Sequence, residues 1–332
     1  MSVEESPAAA IIGAGPCGLA TAISLERAGV RATVFDRSCV VSSIASYPIY
    51  MTFFSTAERI SIGGLPFITA GEKPTRREAL AYYRMAVQYF GIKVRQYEPI
   101  VSITPNGGRF VVRSATVRGE LDTTVDAVVI ATGYFGTPNL LNVPGESLPH
   151  VTHVYREGHQ AFQRDVVVVG GGNSAVDAAL DLWRCGARVT LVHFADRLDA
   201  NVKPWVLPDI KNRLADGSIA ARWNTRVVAI EGDVVVVADG QGKTDRLPAH
   251  QVYLMTGFTP SSELLTQVGV SIDPASGIPA HDPTTMETNV PGVFVAGVLV
   301  SGYDANKVFI ENGRNHGDLI APRIVSRDLA GV

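Results

Sequence analysis

The sequence predicts an α/β fold in which two three-layer domains of one βαβ build share the chain, the second inserted into the first. Three observations predict it. An apolar run at 8–12 leads into Gly13-Ala14-Gly15-Pro16-Cys17-Gly18 and then into an alanine-rich helical pattern. The same pattern returns 157 positions later without a gap. Two further apolar runs, 125–130 and 252–255, each lead into a Thr-Gly pair, the kind of turn at which such a sheet hands its chain to a neighbour.

Taken in chain order, 8–12 is a short buried strand, the glycines form a tight turn, and the following helix is expected to stop near Gly29. A second strand, 32–35, ends on Asp36. A Gly-x-Gly-x-x-Gly turn alone is weak evidence; set between strand and helix it is the fingerprint of a dinucleotide site. The first glycine permits the turn, the second lets backbone approach a pyrophosphate, and the third keeps helix and strand close. The phosphates then rest on the helix N-terminus, where free N–H groups and the helix dipole favour negative charge. In the copy, Gly13, Gly15 and Gly18 fall on Gly170, Gly172 and Ala175, while Ala22, Leu25, Gly29, Arg31 and Thr33 fall on Ala179, Leu182, Gly186, Arg188 and Thr190. A strand at 166–169, a helix to about Cys185 and a strand at 189–192 follow from that copy. The fold class is therefore two Rossmann-like three-layer dinucleotide-binding domains. Their candidate phosphate-binding residues are Gly13, Gly15, Pro16, Cys17 and Gly18 in one, and Gly170, Gly172, Asn173, Ser174 and Ala175 in the other.

The copies differ where the adenosine ribose is read, at the end of the second strand. In the first this is Asp36, followed by Arg37; a carboxylate accepts from ribose hydroxyls and repels a 2′-phosphate, which suits FAD. In the second it is His193, with Arg197 and Lys203 soon after, a basic set that suits the 2′-phosphate of NADPH. Ala131-Thr132-Gly133 closes the third strand of the first domain. A strand at 294–297 ends on Gly297, and a helix is expected over 307–319, opened by Lys307. The FAD domain is thus read as 1–140 and 253–332, with the NAD(P)H domain, 141–252, between them.

Composition excludes several other classes. A net charge of −3 gives no basic excess for nucleic acid. No run of about 18 apolar residues is present to span a bilayer. Glu4 and Glu5 stand where a signal peptide would be positive, so a cytoplasmic protein is expected. The three cysteines, Cys17, Cys39 and Cys185, are too few and too scattered for a disulfide framework or a metal site, and no Cys-x-x-Cys occurs.

At this point the residues resemble a known family. The two-site layout is similar to the thioredoxin-reductase-like branch of the flavin-dependent disulfide reductases, and within it to the YpdA-type bacillithiol disulfide reductases. The resemblance rests on Gly13-Ala14-Gly15-Pro16-Cys17-Gly18-Leu19, Tyr47-Pro48 with Thr52-Phe53-Phe54-Ser55, and Val202-Lys203-Pro204-Trp205 with Leu207-Pro208. It extends to Phe309-Ile310-Glu311-Asn312-Gly313-Arg314 with His316-Gly317. It implies non-covalent FAD, NADPH as reductant, a small-molecule disulfide as acceptor, and a homodimer or higher homo-oligomer. Thioredoxin reductases carry a Cys-x-x-Cys before the second glycine turn; here 153–159 reads His-Val-Tyr-Arg-Glu-Gly-His, which excludes a thioredoxin relay by that route. In the YpdA-type group the cysteine of the first glycine turn, Cys17 here, is the implied redox residue. Two departures stand out: Val298 replaces the aspartate that usually follows Gly297, and Phe194 stands where paired arginines usually follow the second ribose strand.

The mechanism this implies is hydride transfer from NADPH to the flavin, then two electrons to a disulfide, directly or through Cys17. Tyr47, Thr52, Phe53 and Phe54 are candidates to line the flavin, and His153, Tyr155 and His316 to supply a proton. Three alternatives stay open: a ferredoxin or flavodoxin NADP+ reductase, a flavin monooxygenase, and a non-catalytic flavoprotein redox sensor. The retained second glycine turn argues against the sensor.

Overall fold

A computed structural model describes residues 8–330; the acidic start of the chain lies outside them. The chain divides into two compact units, 8–45, 51–137 and 259–330 among the described residues forming one and 46–50 with 138–258 the other.

The first unit is built on five parallel strands: β1 (Ala9–Ile12), β2 (Ala32–Phe35), β3 (Val94–Arg95), β7 (Ala127–Ile130) and β18 (Val293–Val295), in the order β18-β7-β1-β2-β3. β1 is short and apolar throughout because both of its faces are covered, as parallel sheets require. Ala10 and Ile12 face a three-stranded antiparallel sheet, β4 (Ile100–Asn106), β5 (Arg109–Thr116) and β6 (Gly119–Val125), and share a core with Phe110 and Val112. α1 (Pro16–Arg27) and α9 (His316–Ala330) pack on each other, with α1 also against β1 and β2. Short helices α2 (Ser42–Ser46), α3 (Ala57–Ile60), α7 (Glu263–Gln267) and α8 (Ile310–Gly313) fill the connections. α4 (Arg76–Tyr89) opens on a reciprocal cap, Glu78 N–H to the Thr75 hydroxyl at 3.3 Å and Thr75 N–H to the Glu78 carboxylate at 2.8 Å.

The second unit repeats this plan with β9 (Val151–Thr152), β10 (Asp165–Val169), β11 (Arg188–Val192), β12 (Ala220–Arg222) and β16 (Gln251–Leu254), in the order β9-β16-β10-β11-β12. Val166 and Val168 face α5 (Asn173–Arg184). Val167 and Val169 face the antiparallel sheet of β13 (Thr225–Glu231), β14 (Val234–Asp239) and β15 (Thr244–Pro248). α6 (Leu207–Ala215) packs beside α5. The 157-residue offset holds at the level of register: Ala9 pairs with Ala32 and Val166 with Val189, Ile12 with Phe35 and Val169 with Val192.

Several expectations are corrected. The chain passes between units at β8 (Thr137–Pro138) and β17 (Phe258–Thr259), a few residues from the edges expected at 140 and 253, and the excursion 46–50 was not expected at all. The single strand read at 125–130 breaks at Asp126, which pairs with Arg109 at 2.6 Å. The helix read at 307–319 starts only at Ile310, where Asn312 caps it by accepting from Phe309 N–H at 2.8 Å and donating to the Lys307 carbonyl at 3.1 Å. It is interrupted after Gly313, before α9 begins at His316. Neither antiparallel sheet was foreseen.

Candidate functional site

In the first unit the glycine turn is held by contacts that only glycine allows. Gly13 has a φ of +114°, and a Cβ there would stand 2.3 Å from the Ala131 carbonyl oxygen; one on Gly18 would stand 2.0 Å from that of Gly13. Gly15 has nothing within 4 Å of its Cβ position. It is also the N-cap of α1, with no side chain capping the helix and Pro16 in the first turn. An uncapped helix end beside an open glycine is a cradle for an anion, and the pyrophosphate of FAD fits it. Asp36 braces the turn, accepting from Ala14 N–H at 2.8 Å and Ser38 N–H at 2.8 Å. Its carboxylate keeps lone pairs for a ribose hydroxyl. Arg37 is exposed, 3.4 Å from the Gly136 carbonyl.

Cys17 packs inward. A Cβ on Gly297 would lie 3.3 Å from its Sγ, and one on Gly313 would lie 2.9 Å away. Burial pushes the thiol up to about 12. Gly297 has a φ of +74° and donates its N–H to His316 Nδ1 at 3.1 Å, so the neutral ring carries its proton on Nε2. Burial, with His281 nearby, lowers the His316 pKa.

Among the flavin-lining candidates, Phe53 is only 6% exposed. Thr52 and Phe54 are exposed, Ala131 is buried and Thr132 exposed, and Gly133 turns with a φ of +76°. Tyr47 lies in the 46–50 excursion that groups with the second unit, and burial pushes its hydroxyl up to about 12. Lys307 is exposed ahead of α8, its Nζ 3.8 Å from Asp304.

The second turn is a variation on the first. Gly170 has a φ of +137°, and a Cβ there would stand 2.5 Å from the Met255 carbonyl oxygen, the counterpart of Ala131. Ala175 is fully buried in the third position, and Ser174 is exposed at the uncapped start of α5. Asn173 is committed elsewhere, its Oδ1 accepting from Lys203 N–H at 2.9 Å and its Nδ2 donating to the Asn201 carbonyl at 3.1 Å. That pins the loop after β11 against the turn, with Asn173 as the first residue of α5. Asp199 N–H bonds the Gly171 carbonyl at 3.0 Å, and the Asp199 carboxylate lies 3.1 Å from the Cβ position of Gly172.

His193 is the main correction. It is 2% exposed, and its ring presses on Gly171, where a Cβ would stand 2.5 Å from Nε2. Nε2 is 3.4 Å from Asp199 but not in hydrogen-bonding geometry, and neither ring nitrogen finds a hydrogen-bond partner among the described residues. A ring so placed does not reach a 2′-phosphate. Arg197 is exposed, its guanidinium 3.7 Å from Asp196. Reading the sequence missed Asp199, and also Arg222 and Arg226, which the next strands bring to the same edge. For Arg222 and Arg226 the distance in sequence from the glycine turn gave no signal, whereas Asp199 stands between Arg197 and Lys203.

The proton-donor candidates separate. Tyr155 donates its hydroxyl to Asp181 and is buried in the second unit, and His153 Nε2 faces Glu146 at 3.4 Å in that unit. His316 alone of the three lies in the first unit, beside Gly297.

Comparison with known proteins agrees with this geometry. A family model described as pyridine nucleotide-disulphide oxidoreductase matches residues 10–297. Bacilliredoxin reductase Bdr of Bacillus subtilis is 42% identical over 321 residues, covering 96% of this chain and 98% of the relative. Two solved structures described as bacillithiol disulfide reductase Bdr (YpdA) are similar throughout. The one from Bacillus cereus is 41% identical with a TM-score of 0.94, covering 97% of this chain and 99% of that one. The one from Staphylococcus aureus is 36% identical with a TM-score of 0.90, covering 96% and 98%. Among the described residues no helix is long and apolar enough to cross a membrane.

Proposed function

The chain belongs to the pyridine nucleotide-disulphide oxidoreductase family, and from that premise we propose that it reduces bacillithiol disulfide with electrons from NADPH. It is an FAD-dependent, NADPH-dependent oxidoreductase. In this reading FAD occupies the first glycine turn and NADPH the second, in a cytoplasmic homo-oligomer. NADPH, one proton and the disulfide become NADP+ and two thiols: the S–S bond breaks, taking the hydride's electron pair, and both sulfurs end protonated. When bound, FAD supplies the two-electron relay between nicotinamide and sulfur.

The chain's own residues hold and orient. Gly15 and the start of α1 receive the pyrophosphate, Asp36 the ribose, and His316 fixes the Gly297 turn while keeping an N–H on Nε2. The observation that carries the reading is a full-length likeness to the bacillithiol disulfide reductases in a chain with no paired thiols, its three cysteines free and far apart in sequence. Cys17, with its thiol pushed up to about 12, is poorly suited to relay electrons as a thiolate. Transfer to the disulfide is therefore read as direct.

The curated relative's name favours a second acceptor, bacilliredoxin, a protein rather than a small disulfide. Anaerobic stopped-flow absorbance distinguishes the two. The protein reduced by NADPH is mixed with bacillithiol disulfide or, separately, with oxidised bacilliredoxin. Prompt reoxidation by the small disulfide alone supports the proposal. Reoxidation by bacilliredoxin only would replace the acceptor, and failure of NADPH to bleach the flavin would remove the reading.

A further inference from the structure

The end of β11 should read the adenosine ribose of the second nucleotide, yet no group there does what Asp36 does in the first unit. His193, the aligned residue, is buried against Gly171. The backbone just beyond is nevertheless held firmly. His193 N–H bonds the Arg222 carbonyl at 2.9 Å, Thr225 N–H bonds the His193 carbonyl at 3.0 Å, and Asn224 N–H bonds the Ala195 carbonyl at 2.9 Å. This lacing fixes Arg222, the last residue of β12, in register with Val192, the last of β11. It also sets Arg226, at the start of β13, with its guanidinium 5.0 Å above the exposed ring of Phe194.

From this we infer that Arg222 and Arg226 read the 2′-phosphate of NADPH, in place of the cations missing directly after β11. Both are exposed. Arg222 has only a long approach to a carboxylate, 3.8 Å to Asp245, and Arg226 pairs with none among the described residues. A cation–π contact with Phe194 restrains the Arg226 guanidinium over the ring, so less freedom is lost when it takes a phosphate. A guanidinium offers a two-point fork to phosphate oxygens. Of the carboxylates nearby, Asp196 lies 3.7 Å from Arg197, and Asp199 lies 3.4 Å from His193 on the side of Gly172. Position 193 itself is a histidine, so the residue aligned with Asp36 carries no carboxylate to accept from a ribose 2′-hydroxyl and repel the phosphate. Arg197, whose side chain is 86% exposed, contributes charge but not placement.

The inference rests on the NADPH dependence of the proposed function but not on its acceptor, so the test contains no disulfide. Isothermal titration of the FAD-loaded protein with adenosine 2′,5′-bisphosphate and with AMP isolates the contribution of the 2′-phosphate. The wild type should bind the bisphosphate more tightly by about tenfold or more, as expected for charge-assisted hydrogen bonds. Arg222→Gln and Arg226→Gln should each cut that ratio several-fold and the double variant should abolish it, with AMP affinity unchanged. Higher salt should weaken the bisphosphate more than AMP. A double variant that keeps the preference would overturn the assignment. So would an equal loss for both ligands, which would mean the arginines only brace the loop, or a wild type without preference.

Discussion

Replacing Gly18 by alanine tests whether the first glycine turn is set by packing or only by its capacity to bend. A Cβ at Gly18 would sit 2.0 Å from the Gly13 carbonyl oxygen, with the Ala131 Cβ at 3.5 Å on the other side. Relief requires the turn and α1 to separate by roughly an ångström, because the obstructing atom is backbone and cannot rotate away. Overpacking of this kind costs about 1–3 kcal/mol. It also moves the N–H groups that would receive the pyrophosphate, so the cost falls largely on the bound state. At about 1.4 kcal/mol per decade, FAD affinity should fall roughly 10- to 100-fold. The second unit supplies the control, since Ala175 already stands in the matching position. Ala175→Gly should cost only about 1 kcal/mol of helix propensity and leave FAD binding intact. The assay is the ratio of flavin to protein absorbance after gel filtration, followed by titration of the apoprotein with FAD. A Gly18→Ala protein that purifies with full flavin and wild-type affinity would refute the reasoning, because the turn would then have room the structure does not give it.

Cys17→Ala should retain disulfide reduction to within about a factor of two, since burial holds the thiol near 12 and leaves little thiolate at neutral pH; loss of turnover with flavin retained would restore it as the redox group. Asp177 is raised to about 6 by burial, so the fold favours its protonated form, and its contribution is present below about pH 4 and lost as pH rises through 6. Asp177→Asn should therefore raise the unfolding temperature at pH 7.5 but hardly at pH 4.5, and an equal gain at both would contradict the burial argument. Glu287 accepts from Arg323 and Arg327 at 2.6 Å each and from Gly292 N–H at 2.9 Å. Burial alone would raise its pKa, but these partners hold it below the usual carboxylate range, so its contribution is lost as pH falls through that lowered value. Glu287→Gln should destabilise the first unit by about 2 kcal/mol, measured by urea unfolding at pH 7; no shift in midpoint would mean the α9 arginines carry nothing.

The nucleotide-binding half of each sheet was legible because its signals are local and repeated. β1, the glycine turn and β2 are contiguous, and a second copy in register removed the ambiguity of short apolar runs. The antiparallel sheets carried signals too, Gly107-Gly108 joining β4 to β5 and Gly232 joining β13 to β14, each glycine with positive φ. Arg109–Thr116 alternates cleanly, with Phe110, Val112 and Ser114 buried, but its buried set includes a serine and no functional motif drew attention to these strands. The helix cap at Thr75 with Glu78 was likewise readable from spacing alone. What could not be read was direction. Nothing in the sequence says that His193 turns inward while Arg226, 33 positions on, arrives above Phe194, because that depends on how far β12 and β13 run before they turn.

The pair of positions 14 and 36, and their copies 171 and 193, shows why the aligned residues do different work. In the first unit Ala14 lends its N–H to Asp36, so a short acid both braces the turn and keeps acceptor capacity for ribose. In the second unit the acid is a histidine, whose ring occupies the volume where an Ala14-like methyl would stand; a Cβ on Gly171 would lie 2.5 Å from it. Glycine at 171 is thus the price of the ring at 193, and the two exchanges make sense only together. The consequence is electrostatic as well as steric. Filling the turn with a buried imidazole removes the carboxylate that would repel a 2′-phosphate, and moves recognition outward to whatever cations the neighbouring strands present. The same βαβ unit can in this way prefer a plain ribose in one copy and a phosphorylated one in the other, with the glycine turn itself almost unchanged.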